Sequence, residues 1–560
     1  MIIKIFKKIN ITFSLIGTCV LLSSCQKMFD IKPEDTLDKE HMYKTVYDAD
    51  AVIIGLYGKL SAMADQYVIL NELRGDLLSE THKSDPYIRE ISEHRVSADN
   101  PYANPKPFYE LIANCNDAMY NFQIMRDKNI LDAVQFNQRY TEAGMLRTWL
   151  YLQLGIHYGN VPYVTEPILN VNDIKDASKF PKLTFDELLD KLLEFTNTIP
   201  AAYLNQNTSS ASPTLITDMN GYPILNGVFK FFIHRKSLVA DLNLWKGNYQ
   251  KAAEIYKNVM ELDTYSTSNN DQSIDRYDTY RIVNDNSGLS NLMTTGLQIP
   301  WSAIFNDELA ARKVNIERMW TLPLNKDFAP GNPLLNLFNA SLDYVVKPSA
   351  LAINNWNEQI REDGSLTDRR GLMASYTLFY NQPAVAKYTL KYSPATPFEK
   401  TGVWVLYRAA TMHLRYAEAA NRSGYGDVAG VIINDGFKTK GKIYATNPAP
   451  FDFDGSTGTV NGNWYRNIGI RGRAVNQNVL IEATDVIDTE NKIINEAALE
   501  LAFEGYRWPD LLRIALRRQA SEPNYLANKI GDKFDAEGHL SAEVRTKLSN
   551  KANWYLPFKW

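Results

Sequence analysis

The sequence predicts a mainly α chain: a degenerate tetratricopeptide-like helical-repeat scaffold with loop-rich insertions and minor β structure. Two observations carry this expectation. The first is KSLVADLNLWKGNYQKAAEIYKNVMEL, residues 236–262. There Leu238, Leu242 and Trp245 fall on one helical face, Lys246-Gly247-Asn248 turns the chain, and Ala252, Ile255, Tyr256 and Val259 form the facing stripe, with Ala252 small enough for close approach. Similar patterning recurs in YTEAGMLRTWLYLQLGIHYGNVPYV, residues 140–164, and in WVLYRAATMHLRYAEAANRSGYGDVAGVI, residues 404–432. The second observation is where that period fades. From about 264–400 and 434–489 Gly, Pro, Asn, Asp and aromatics dominate, and long loops of this kind carry function or pack as irregular lobes. Helical repeats are thus expected over about 41–263, 402–433 and 490–518, with most ligand contacts on the insertions. Arg318–Leu324 and Tyr388–Tyr392 read as strands.

The N-terminus carries an address. MIIKIFKK places Lys4, Lys7 and Lys8 before an apolar run that ends in Leu22-Ser23-Ser24-Cys25, the arrangement of a secretory signal over residues 1–24. The run is shorter than the roughly 20 apolar residues a membrane span needs, and Asn10, Thr12, Ser14 and Thr18 dilute it. Leu-Ser-Ser-Cys resembles the bacterial lipobox, so Cys25 is the expected lipidation site, and two or more acyl chains anchor a protein stably. Residues 25–40 are polar and contain Pro33, as a lipid-anchored tether would, and 41–560 are expected to form a single domain. Cys19, Cys25 and Cys115 are the only cysteines; once Cys19 is removed and Cys25 acylated, Cys115 has no disulfide partner, and stability must come from packing.

Composition and motifs exclude several functions. A net charge of −4 and the lack of a basic stripe argue against nucleic acid. GFKTKGKI, residues 436–443, nearly matches a phosphate loop, but Ile443 stands where magnesium needs Ser or Thr. GYGDVAG, residues 424–430, follows a helix where a dinucleotide fingerprint needs a strand, so it reads as a helix-hairpin turn. HExxH, calcium-hand and GxSxG patterns are absent, so no metal, cofactor or catalytic residue is expected. FDFDGSTG, residues 451–458, reads as a plain turn and Arg74-Gly75-Asp76 as a chance string.

LELAFEGYRWPDLLR, residues 499–513, offers Glu504, Arg507, Asp510 and Arg513 at three-residue intervals. Leu501, Trp508, Leu511, Leu512 and Ala515 form an apolar stripe, and Gly505 with Pro509 suggests one helix stopping and another starting. Glu504 with Arg507 and Asp510 with Arg513 are expected helix-surface pairs, each contributing a few tenths of a kcal/mol if exposed. The segment reads as architecture.

Together these segments resemble the SusD/RagB family of surface nutrient-binding lipoproteins of Bacteroidota. FDIKPEDTLDKE resembles the family's post-lipid segment, and EAGMLRTWLYLQLGIHYGNVPYVTEP its most recognisable motif, through Glu142, Arg147, Tyr158, Gly159, Val161 and Pro162. YVVKPS at 344–349, Asp368-Arg369, GIRGR at 469–473 and LAFEGYRWPDLLR follow in the family's order. The resemblance implies an all-α core of four tetratricopeptide-like helix pairs, with Glu142 and Arg147 as fold markers. It also implies a SusC-like TonB-dependent transporter as partner in the outer membrane, and import of an oligomeric nutrient, a glycan first, without covalent chemistry.

In glycan-binding relatives one contact cluster lies in the loop matching SADNPYANPKP, residues 97–107, which makes Tyr102 and Asn104 candidates, with Tyr87 beside them. Tyr277, Tyr280 and Phe328 are further candidates from the long insertion, whereas Trp301, Phe305 and Trp320 fit a core pattern. An aromatic face burying ~100 Å² of sugar surface yields about 2.5 kcal/mol gross. The loop around Tyr102 has no tryptophan, which keeps a peptide ligand open. A lipid-anchored hydrolase and a protein-recruiting scaffold are the rivals from other classes.

Overall fold

The computed structural model describes residues 42–167, 180–200, 231–261, 303–306, 317–324, 331–396 apart from 343, 390 and 391, 402–434, 436, 446–453, 469–475 apart from 473, and 477–558. Cys25, Tyr277, Tyr280, Trp301 and Phe328 lie outside the described residues, as do residues 1–24 and 25–40, expected as signal and tether.

Helix α1 (Val46–Ser61) starts at a capping box, in which the Thr45 hydroxyl accepts from the Asp48 N–H and Asp48 accepts from the Thr45 N–H. Next come α2 (Ala64–Val68), which runs into a π-turn at Ile69–Leu73, then β1 (Leu78–Glu80) and α3 (Pro86–Ser92). The long pair α4 (Lys106–Asp127) and α5 (Ala133–Tyr158) packs side by side, α5 opening with a second capping box at Asp132 and Gln135. Residues 140–164 were expected to form a helix pair and instead belong to α5 and to β2 (Val161–Pro162). Burial of every residue from Thr141 to Tyr158 holds the helix through Gly144 and Gly155, so it turns only at Gly159.

After β3 (Lys182–Leu183) and α6 (Phe185–Thr198), the helices α7 (Arg235–Lys246) and α8 (Tyr249–Glu261) form the pair read from the sequence. Gly247 makes their turn with a left-handed φ of 86°, a conformation that costs other residues a Cβ clash. Then follow α9 (Ala303–Asn306), β4 (Arg318–Leu324), α10 (Leu334–Phe338), β5 (Val346–Pro348), α11 (Ala350–Asn357), β6 (Tyr376–Phe379), β7 (Gln382–Val385) and β8 (Gly402–Arg408). The strands pair as four two-stranded antiparallel sheets, β1 with β5, β2 with β3, β4 with β8 and β6 with β7. Residues 404–408, expected at the start of a helix, are strand, because β4 supplies a ladder partner from far upstream, as the pairing of Trp404 with Leu322 and of Val405 with Thr321 shows. Of Tyr388–Tyr392, expected as strand, Tyr388 and Thr389 lie in a turn: the Tyr388 hydroxyl is drawn to the Phe503 carbonyl at 2.7 Å, and Lys387 beside it to Glu504.

The chain closes with α12 (Ala409–Arg422), α13 (Gly426–Ile433), α14 (Val486–Glu500), α15 (Arg507–Arg517), α16 (Tyr525–Glu537) and α17 (Ser541–Leu548). GYGDVAG makes the α12–α13 hairpin, and α14 stops and α15 starts around Gly505, as the sequence suggests. The expected Glu504–Arg507 pair is not made. Residues 501–506 are not helical, so the two side chains share no helix face: Glu504 meets Lys387 and Arg408, and Arg507 donates to Asp76 at 2.6 Å. Asp510 and Arg513 do pair, at 2.9 Å, but in the interior, where Glu418 also accepts from Arg513. The Arg74-Gly75-Asp76 string is likewise structural, with Arg74 and Asp76 both buried. One apolar core runs through the molecule; Trp320 belongs to it, and Phe305 is buried in a small satellite cluster beside β8.

Glu142 acts as an internal clasp. It accepts from the Tyr57 hydroxyl on α1 and from the Ile233 N–H at 3.3 Å, and burial pushes its carboxyl up to about 7 against both hydrogen bonds. A carboxyl raised above its unfolded value contributes stability that is present below that value and lost as pH rises through the folded one. Glu142→Gln is therefore expected to flatten the fall in melting temperature between about pH 5 and pH 8. Parallel melting profiles for the two proteins would show that Glu142 does not titrate in this window.

Candidate functional site

The loop between α3 and α4 is pinned from three sides. Asn100, buried, accepts the Tyr102 N–H at 3.0 Å and donates to the Tyr87 carbonyl at 2.9 Å and to Glu90 at 3.0 Å. Gln66 on α2 donates to the carbonyls of Tyr102 and Asn104 at 2.9 and 3.0 Å, and the Tyr158 hydroxyl to that of Ala103 at 2.9 Å. Each of these bonds consumes a polar group that would otherwise be orphaned, so the loop is a fixed wall.

That wall bounds a cavity of about 780 Å³, within the size range of small-ligand sites. Its second wall is one face of α4, where Tyr109, Ala113 and Asn116 follow one another at helical spacing and the small Ala113 leaves room. Val164 and Pro557 close the far side. Asn116 is held rather than free to rotate: its amide donates to the Val164 carbonyl at 3.0 Å, and its oxygen accepts from Arg147 at 2.7 Å. Arg147 is in turn fixed by the Thr165 carbonyl at 3.0 Å and by the face of Phe195 at 4.5 Å. Thus Arg147, expected only as a fold marker, also orients a residue of the cavity wall. Tyr109 is tethered through its hydroxyl to the Pro162 carbonyl at 2.9 Å and meets Tyr151 and Phe558 edge-on, and burial pushes its phenol well above the ordinary range. The mouth carries Asp99, Lys106 and Glu110.

Of the sequence candidates, Asn104 lines this cavity. Tyr102 and Tyr87 stand next to it but outside its lining. The Tyr102 ring packs on the core, and its hydroxyl hydrogen-bonds Asp85; burial, with Asp85 and Asp65 close by, pushes the phenol up to about 12. Tyr87 is 41% exposed on α3. Tyr109 and Asn116 were not anticipated. The signal was present in FYELIANCNDAMY, where an asparagine falls on the otherwise apolar stripe of a helix, a position that demands a hydrogen-bonding reason.

The cavity can cover an apolar ring face and offer amide and carboxylate hydrogen bonds. Its lining holds no Ser, Thr, Cys or His, and no cluster of three metal-ligating side chains occurs among the described residues. Asp452 of the FDFDGSTG segment is engaged by Lys257 at 2.5 Å.

Residues 349–559 match the family model described as SusD family. SusD-like protein P38 of Formosa agariphila is 23% identical over 91% of this chain and 92% of its own, and SusD-like protein P2 of the same organism is 22% identical over 93% of each. Among solved structures, a SusD superfamily protein of Bacteroides vulgatus superposes with a TM-score of 0.58 at 14% identity, covering 92% of this chain and 96% of that one. A SusD-like carbohydrate binding protein of Bacteroides fragilis gives 0.54 at 14% identity over 85% and 87%. The match to the family model lies in the C-terminal part, the relatives run nearly end to end and the helical architecture is shared: this chain is similar to SusD-like proteins along nearly its whole length.

Proposed function

We propose that this protein is a cell-surface lipoprotein, anchored in the outer membrane through Cys25, that captures an oligomeric glycan and passes it to a SusC-like TonB-dependent transporter. The observation that carries the binding part is the fixed, 780 Å³ cavity between the Asn100-pinned loop and α4. Asn104 supplies a hydroxyl partner there and Tyr109 an aromatic edge. Binding rather than turnover fits a wall without Ser, Thr, Cys or His, and a structural neighbour from Bacteroides fragilis is described as carbohydrate binding. Among the described residues no helix is long and apolar enough to cross a membrane; the Leu-Ser-Ser-Cys motif supports attachment through a lipid.

The test is calorimetric titration of the mature protein with a panel of neutral, acidic and sulfated oligosaccharides. Asn104→Ala is expected to weaken the ligand found by about fivefold, and Tyr109→Ala by about tenfold or more. Copurification from native membranes should recover a large TonB-dependent barrel. A ligand that binds with both variants unaffected would remove the cavity from the reading, and turnover of the ligand would replace it with a hydrolase. A peptide is the second reading. It is favoured by the lining itself, which pairs one aromatic, Tyr109, with the mixed charges Asp99, Lys106 and Glu110; oligopeptides therefore belong in the panel.

A further inference from the structure

A separate cavity of about 290 Å³ lies on the other side of the C-terminal tail, with Pro557 lining both. Its walls come from distant parts of the chain: Arg74 after the π-turn, His94 after α3, Lys547 at the end of α17, and the tail itself. Arg74 is the unusual member. Several other buried arginines face a carboxylate, Arg408 three of them and Arg507 Asp76, whereas Arg147 is met by Asn116 and the Thr165 carbonyl. Arg74, 1% exposed, has no carboxylate in reach among the described residues. Its guanidinium lies 3.8 Å over the Trp508 ring, bonds the His157 ring at 3.1 Å and donates to the Trp554 carbonyl at 2.6 Å. Its Nε has no partner among the described residues. Burial without a counter-charge pulls this guanidinium down to about 9, with only the Tyr158 and Tyr555 phenols opposing.

His94 packs against the same indole at 5.5 Å, and its ring is hydrogen-bonded to the Arg74 backbone. Its Nε2 is buried and has no partner among the described residues. Exposed Lys547 stands at the rim. A buried cation is ordinarily kept where an anion meets it, because the uncompensated charge is expensive, and an Arg fork suits carboxylate and sulfate geometry.

We propose that this pocket binds a carboxylate- or sulfate-type oxyanion, with Arg74 and Lys547 supplying the positive charge and His94 Nε2 meeting a neighbouring ligand hydroxyl. The site stands on its own chemistry and does not require the larger cavity to be filled. The experiment is imidazole NMR of the full mature protein, with the His94 signal assigned by its loss in His94→Gln, during titration with galacturonate, galactose and inorganic sulfate. Galacturonate is expected to move the His94 signal saturably at millimolar concentration, while neutral galactose leaves it in place. A response to sulfate as well assigns recognition to the oxyanion alone; a response to galacturonate only assigns it to a sugar-borne acid. Lys547→Ala, a surface change that leaves the fold intact, should weaken binding about fivefold. Arg74→Met should abolish it, with Lys547→Ala serving as the sole arm if that protein does not fold. Silence toward both anions, an equal response to galactose, or unchanged affinity in Lys547→Ala overturns the site.

Discussion

Arg408→Met is expected to destabilise the protein by about 3–5 kcal/mol, because it strands several carboxylates in the dry interior. The Arg408 guanidinium, fully buried at the end of β8, donates to Glu504 at 2.7 and 2.9 Å, to Glu500 at 2.7 Å, to Glu317 at 2.5 Å and to the Glu500 carbonyl at 2.8 Å. Those three carboxylates hold its proton well above the ordinary range. Neighbouring Arg370 shares Glu500 and binds Asp368 and Glu496, and Arg471 also reaches Glu496, so β8, α14 and the 368–371 turn are tied through one buried charge network. Arg408→Lys should lose nearly as much, since a single ammonium cannot meet three carboxylates that a planar fork meets at once. The check is the urea midpoint of each variant against the parent at neutral pH. A midpoint unmoved by Arg408→Met would show that the network carries no net stability.

Gly505→Ala is expected to leave little or no folded protein, a cost above roughly 4 kcal/mol. Gly505 has φ +92°, outside the range an alanine adopts without strain, and an added Cβ would sit 2.1 Å from Cε1 of Tyr67. That ring cannot move aside. It stacks on Trp149 at 5.5 Å, meets Trp404 edge-on at 5.3 Å, and its hydroxyl donates to the Gly505 carbonyl at 3.1 Å. Nor can the backbone shift, because Glu72 on the π-turn accepts the N–H groups of Phe503, Gly505 and Tyr506 at 3.1, 2.7 and 2.8 Å. Soluble yield and far-ultraviolet circular dichroism check this, and a variant that expresses and melts like the parent would refute the packing argument.

Both substitutions fall around LELAFEGYRWPDLLR, where the sequence is informative about form and silent about partners. The helix stop near Gly505 and the restart before Trp508 were legible, because glycine, proline and a helical apolar stripe act over a few residues. Glu504 was misassigned to Arg507 because spacing ranks only near neighbours, whereas its cations come from 96 and 117 residues away. The same limit separated the tyrosines of the candidate site. Asn104 lines the cavity by its place in the loop, but Tyr102 turns its hydroxyl to Asp85 while Tyr109 lines the cavity from α4.

By itself, then, the sequence determined the class of scaffold, the α7–α8 and α12–α13 hairpins, strand β4 and the helix break at Gly505, all of them properties of local periodicity and turn chemistry. The tertiary structure alone decided that residues 140–158 stay one helix, that residues 404–408 join β4, which charges meet in the interior, and that the loop before α4 and the C-terminal tail enclose two cavities. Those outcomes depend on groups brought together from opposite ends of the chain, and the energy that selects them comes from burial and pairing that exist only once the core has closed.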